Sequence, residues 1–335
     1  MSDCRQQGCE EKFKTMIGGQ AVIEGVMMQG PEKRAVVIRN QDGELIEKVE
    51  PLQKKTGILT WPLIRGVVNF GSSMVGGIRT LMYSAEFFPE DEAAEPSKFD
   101  KWLESKLSSE KLEKAVIAFA VVLGAALSVG LFFVLPILIG DGLEALFHFS
   151  VVAKNLIEGL VRVIIFVAYM ALVSQMKDMK RVFSYHGAEH KSIRCYEARL
   201  PLTVENARKM TRLHPRCGTS FLFVVMIISI LLFTVTNSLI LKIDAIAALR
   251  ENSRVVYNLL MMIFKIVIML PIVVSISYEC NRFVGRHDNA FTRALSAPGM
   301  WFQNFTTNEP DDSMLEVALR SLELVIPDKE GADQW

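Results

Sequence analysis

The 335-residue chain has no excess of either charge, with 37 Lys and Arg against 37 Asp and Glu. That balance excludes a strongly basic nucleic-acid binder and an acidic disordered chain. Cysteine is sparse: the five residues, at positions 4, 9, 195, 217 and 280, include no C-x-x-C pair. They do not read as a secreted disulfide framework, and reduced thiols are expected. There is no internal repeat and no low-complexity tract, and the opening MSDCRQQGCEEKFK has no apolar core, so no cleaved signal peptide is expected. Charge is scarce locally as well. Several windows of more than 20 residues carry one charged side chain or none, the pattern of a membrane protein.

Four windows are long enough to cross. Ala115 to Gly140 has 26 uncharged residues, Gly218 to Leu241 has 24, and Val255 to Tyr278 has 24 with Lys265 as the only charge. The fourth, about Asn155 to Gln175, has Glu158 and Arg162 at i, i+4, able to pair while Arg162 reaches toward the interface. Orientation follows from Lys and Arg beside the spans. Residues 177–216 hold ten, whereas 141–154 hold one and 242–254 hold three. The basic loop is therefore expected in the cytosol, with both termini on that side of the plasma membrane.

Ile58 to Phe88 has only 13 uncharged residues between Arg65 and Arg79, too few for a crossing, so an interfacial or re-entrant helix is expected there. The expected fold is an α-helical polytopic membrane protein with a small N-terminal β-rich module, whose strands lie in GGQAVIEGVMMQGP and AVVIRN-QDG-ELIEKV. The organisation read along the chain is a β-rich module at 1–56, the interfacial helix and a basic linker at 57–112, a four-span domain at 113–280 with a cytosolic loop at 177–217, and a tail at 281–335. The tail carries an amphipathic helix over Met314 to Val325.

The basic loop contains His186-x-x-Glu189-His190. On a helix the two imidazoles share a face one turn apart, so both reach one divalent ion while Glu189 stands beside it as proton acceptor. Zinc is the expected ion. The topology brings further donors to the same level: His214, Cys217, Glu279, Cys280, Cys195 and Glu197. A third ligand is expected from His214 or Glu279, with Cys217 behind them. Arg216 and the free N–H groups of Thr219, Ser220 and Phe221 open the third span, a place where an anionic substrate group can bind. The other reading of the same arginine is a positive-inside anchor touching lipid head groups, and charge alone favours that one. Lys265, near the middle of its span, favours a wet cavity or a rival transport role.

The chain resembles the YqhQ-like bacterial family, domain of unknown function 1385, described as predicted metal-dependent enzymes. The resemblance runs from GGQAVIEGVMMQGP through LIRGVVNF, RVFSYHGAEHKSIRCYE and LTVENARKMTRLHPRCGTSFL to APGMWFQNFTTNEPDD. It implies a polytopic membrane protein with a metal site on His186, Glu189, His190 and His214, and with Glu24 and Glu197 as further polar candidates. Glu24 sits in an apolar run and needs a partner, a metal or Arg65. The resulting expectation is a cytosol-facing metal-dependent hydrolase acting on an unidentified anionic or lipid-derived substrate, with the bilayer as partner, a homo-oligomer as a further option and no nucleic acid. A non-catalytic scaffold or assembly factor with a structural metal clip, and a small-solute or ion transporter using Lys265, are the alternatives.

Overall fold

The computed structural model describes residues 13–53, 55–88, 119, 121–287, 289–329 and 331–334. Cys4, Cys9, the basic stretch at 98–114 and the start of the first span lie outside the described residues. The described part falls into two units: residues 1–88, 167–233 and 254–335 form one, and residues 89–166 and 234–253 the other.

The first unit is built on an antiparallel sheet in the order β1 (Gly18–Val22), β2 (Gly25–Gln29), β3 (Lys33–Arg39) and β4 (Leu45–Pro51). Its middle strands read VMM and AVVI because both faces are covered, so the polar alternation of a one-sided sheet is missing. Val26, Met28, Ala35 and Val37 face the main apolar core. Met27, Val36 and Ile38 face the other way, against Tyr83, Phe87 and Phe88 at the end of helix α1 (Ile64–Ala85). Gly43, at φ 86°, takes the left-handed position in the turn between β3 and β4. Glu24 occupies the same region at φ 50° in the tight turn between β1 and β2.

Among the described residues, four helices are long and apolar enough to cross a membrane: α2 (Val121–Phe147), α3 (Val151–Val173), the Phe221–Ile240 part of a later helix, and Arg254–Arg286. They carry large exposed apolar side chains along their lengths, Leu127, Leu160, Leu231 and Val267 among them. Between α3 and the third of these lies a 21-residue helix, α4 (Lys177–Glu197), where the sequence suggested a loop. The short α5 (Val204–Arg208) follows, capped by the Thr203 hydroxyl. Next come α6 (Gly218–Ile240), α7 (Asp244–Asn252), α8 (Arg254–Arg286), α9 (Ala290–Thr306) and α10 (Asp312–Glu323). Asp311 caps α10 by accepting from the Met314 N–H.

One core crosses the divisions read along the sequence. Val26 and Val37 of the sheet, Tyr185, Ala188 and Ile193 of α4, and Leu315, Ala318 and Leu322 of α10 pack together, fully or almost fully buried. The Ser321 hydroxyl lies between β2 and β3, within hydrogen-bonding reach of the Val26 (3.1 Å) and Ala35 (3.2 Å) carbonyls. The N-terminal strands, the basic segment and the tail therefore fold as one body.

Helix α1 is tied to α8 near its start. Arg65 grips both oxygens of Glu279, Asn69 donates to the Tyr278 hydroxyl at 2.8 Å, and the Ser275 hydroxyl donates to the Leu63 carbonyl. Its opposite face leaves Val67, Phe70, Met74, Ile78 and Leu81 exposed.

In the second unit Lys154 pairs with Asp141 and, at 3.1 Å, with Glu144, which Arg250 also reaches at 2.8 Å. Glu158 lies 4.0 Å from Lys154. Arg162 is satisfied differently from the pairing its sequence position suggested: its Nε donates to the Phe132 carbonyl at 2.8 Å, inside the π turn Gly130–Val134 of α2. Such a turn disturbs the i to i−4 ladder and makes a carbonyl available to another donor. A second π turn, Lys265–Met269, carries the buried Lys265, with Nζ 5.5 Å from the centre of the Phe233 ring.

Candidate metal centre

Helical spacing puts His186 and His190 on one face of α4, with ring centres 4.4 Å apart. Gly187 between them has no room for a side chain, because a Cβ there would stand 2.0 Å from the Asn308 carbonyl. The segment after α9 lies directly on the helix at this point. That contact brings the Thr306 carbonyl to Nδ1 of His186 at 2.8 Å, and the Arg212 carbonyl meets Nδ1 of His190 at 2.6 Å. A carbonyl only accepts, so both rings carry their proton on Nδ1 and present a lone pair on Nε2.

The two Nε2 atoms and Cys217 Sγ all lie within 4.8 Å of one another. His186 Nε2 is 3.2 Å from the sulfur, and the buried His190 Nε2, with the same sulfur within 4.8 Å, meets no partner at hydrogen-bond geometry among the described residues. Tetrahedral zinc sites place such donors about 3.3 to 3.6 Å apart, close to this spacing. Two imidazole nitrogens, each oriented through its other nitrogen by a carbonyl, together with a sulfur, form a donor set that fits zinc. The orphaned lone pair of His190 points to the same conclusion, since a buried acceptor without a partner is costly.

Charge in the cluster is tuned accordingly. Burial pushes His190 down to about 4, keeping it a neutral ligand. Burial alone would raise the Cys217 thiol, but His190 and the Thr219 hydroxyl and N–H, at 3.3 and 3.5 Å from Sγ, outweigh it and leave the thiol below its usual range. Glu189 is buried next to the pair. Its carboxyl is pushed up to about 7, first by burial and then by Cys217, against the opposing pull of His186 and of the Gly19 N–H. That N–H, on strand β1, donates to Oε1 at 3.0 Å.

Other residues singled out from the sequence fall elsewhere. Glu279 is held by Arg65 and does not join the cluster. His214 sits beside it, 5.6 Å from His190 between ring centres, but turns Nε2 to Glu197 at 3.3 Å. Arg216 is not left open for an anion: it forms a buried ion pair with Glu197, whose carboxylate also accepts from the Thr15 N–H at 2.9 Å. Burial raises the Glu197 carboxyl despite that arginine. Thr219 turns to the sulfur, and Ser220 follows it in the first turn of α6. Glu24 takes Arg181 and the Tyr185 hydroxyl, not Arg65. Cys280 is half-buried and Cys195 buried in the main core, both as free thiols.

Sequence reasoning missed the orienting carbonyls of Thr306 and Arg212, and the Gly19 amide. Backbone groups carry no sequence signal of their own. Cys217 had one: it stands one residue ahead of Gly218-Thr219-Ser220 at a helix start, where free N–H groups favour a thiolate.

The chain is 32% identical over 321 residues to "Uncharacterized protein YqhQ" of Bacillus subtilis (strain 168), which spans 93% of this chain and 92% of that relative. No solved structure matches it. Residues 61–328 match the family described as "Protein of unknown function (DUF1385)". With that match and that relative, the chain belongs to this family.

Proposed function

We propose that the protein is a metal-dependent hydrolase of the inner membrane, working at its cytosolic face. The observation that carries this reading is the convergence of His186 Nε2, His190 Nε2 and Cys217 Sγ within 4.8 Å of one another, with the buried Glu189 carboxyl adjacent. His186, His190 and Cys217 would hold the ion. When bound, it supplies Lewis acidity that lets a hydrolytic water ionise near neutral pH. Glu189 would serve as the proton acceptor: the Gly19 N–H fixes one carboxylate oxygen and leaves the other to receive a proton. A carboxyl pushed up to about 7 is well matched to this task. Burial of the cluster limits competing water and strengthens each electrostatic contact.

The four apolar helices cross the bilayer with both termini on the inner side in this reading, supported by their exposed apolar surfaces and by the ten Lys and Arg of residues 177–216. Helix α1, anchored to α8 at one end and to the sheet at the other, rests its exposed apolar face in the inner interface. Substrates within reach are lipids or peptides at that level.

Near-complete burial of His190, Cys217 and Glu189 favours a second reading, a structural metal clip in a membrane scaffold or assembly factor. Glu189→Gln separates the two. In a strain lacking the gene, a hydrolase predicts that the variant binds metal and folds but fails to restore the wild-type lipid or peptide profile. Full complementation by Glu189→Gln rejects the hydrolase. Metal analysis of the purified wild type gives about one zinc per chain if the three-donor site is correct, and none rejects both readings.

A further inference from the structure

Helix α9 has two faces of different character. Thr292, Ser296, Gly299, Phe302, Gln303 and Thr306 are buried. On the opposite side Phe291 is 66% exposed and Trp301 53% exposed, with Ala294 and Ala297 exposed between them at helical spacing. Phe305 packs edge-on to Trp301, with ring centres 5.3 Å apart. Arg293 is the only charged residue from Ala290 to Thr306. A helix facing water on that side would carry several charges, whereas large aromatics at two ends of an uncharged stripe suit the head-group region of a bilayer.

Placement and charge identify the occupant. Helix α9 starts at Ala290, just beyond the Arg286 end of α8, so its apolar stripe continues from the cytosolic end of a span that exposes Val267, Ile268 and Ile272. Arg282, Arg286 and Arg293 flank the junction in sequence, a positive set that complements an anionic leaflet.

The buried face connects to the metal centre. The Thr306 carbonyl accepts a hydrogen bond from His186 Nδ1 at 2.8 Å. Gln303 clamps His214, accepting from its N–H at 2.8 Å and donating to its carbonyl at 2.7 Å. Arg212, whose own carbonyl orients His190, bonds to the Thr307 hydroxyl at 2.7 Å.

We propose that the Phe291–Trp301 face of α9 is a docking surface for anionic phospholipid at the inner leaflet, and that this seat holds the C-terminal turn of α9 against His186 and the 212–217 segment. The proposal rests on α8 crossing the membrane but not on the site holding a metal.

The test uses the full chain with Trp61, Trp102 and Trp335 changed to Phe, leaving Trp301 as the single reporter, in vesicles of equal parts phosphatidylglycerol and phosphatidylethanolamine. The expected result is blue-shifted emission, quenched more by bromine near the head-group end of the acyl chains than by bromine at the bilayer centre. Emission typical of water without quenching overturns the seat. So does blue-shifted but unquenched emission accompanied by disulfide cross-linking of a Trp301→Cys variant between copies, since the face is then covered by a second molecule.

Coupling to the site is read with chelator present, from the alkylation rate of Cys217 followed by mass spectrometry. The paired change Phe291→Asp and Trp301→Asp should speed alkylation at least tenfold, while Trp301→Phe keeps the wild-type rate. Equal rates in all three proteins overturn the coupling. A wild type that binds no zinc removes the hydrolase reading and leaves both of these readouts decisive.

Discussion

Glu189 on α4 is held by the main-chain N–H of Gly19 on β1, 170 positions earlier, across a hydrogen bond of 3.0 Å. The N-terminal sheet is therefore part of the centre, because it orients the group we propose as the base. A Cβ at residue 19 would lie 2.6 Å from the Met27 carbonyl and 3.1 Å from the Glu189 carboxyl carbon. Gly19→Ala should retain bound zinc while lowering turnover by about 100-fold, the loss expected when a catalytic group is displaced by about an ångström. Metal content and complementation measured on one preparation check it; wild-type complementation by Gly19→Ala would remove the positioning role.

The identity of the third donor is open to direct measurement. Cys217→Ala should weaken zinc binding by at least about 100-fold, whereas Glu279→Ala, which breaks contacts to Arg65 and the Leu63 backbone away from the cluster, should leave it within about threefold. Cobalt substitution gives the matching signature, a sulfur-to-metal charge-transfer band in the wild type that Cys217→Ser loses. Retention of that band in Cys217→Ser would point to another thiol.

Proton linkage in the ion-free protein has two opposing parts. Glu189 is raised to about 7, so between about 4.5 and 7 the folded state binds the extra proton and stability falls as pH rises. His190 is lowered to about 4, so between about 4 and 6.5 the unfolded state binds the extra proton and stability falls as pH drops. Across about pH 5 to 6 the two nearly cancel. Glu189→Gln should uncover the histidine slope, gaining roughly 1.4 kcal/mol per pH unit relative to the wild type over that range. Thermal unfolding of both proteins in detergent with chelator measures it, and parallel curves contradict the assignment.

The Arg216–Glu197 pair is almost fully buried. Arg216→Ala strands the carboxylate and should cost about 3 to 5 kcal/mol. Adding Glu197→Gln should recover part of that loss, a pattern that an arginine serving only as an anion anchor would not give. A double-mutant cycle by denaturant unfolding decides it.

Much of this was legible in the sequence. The spans are visible because an uncharged run of 20 residues has few other uses, and the His186–His190 pairing follows from helical period alone. The β1 to β4 strands show in the apolar runs and in Asp42-Gly43. What was not legible depends on long-range packing. That α10 covers β2 and β3, that Arg65 claims Glu279 before any ion could, and that Glu197 neutralises Arg216 are choices among partners of equal local plausibility. Cys217 ranks behind His214 and Glu279 in the sequence for the same reason: a lone thiol before a span reads as packing until Nε2 of His186 is found 3.2 Å away.

The shared core of sheet, α4 and α10 also bears on synthesis. Val26 and Val37 are made early, yet Leu315 and Leu322, which cover them, leave the ribosome on the order of 15 to 60 s later at ordinary elongation rates. In the proposed topology the intervening helices are meanwhile threaded into the bilayer. For that interval the young strands present a greasy surface with nothing to shield it, so nascent chains should depend on a chaperone, and a stop codon that removes only α10 should be as damaging as one that removes the histidines.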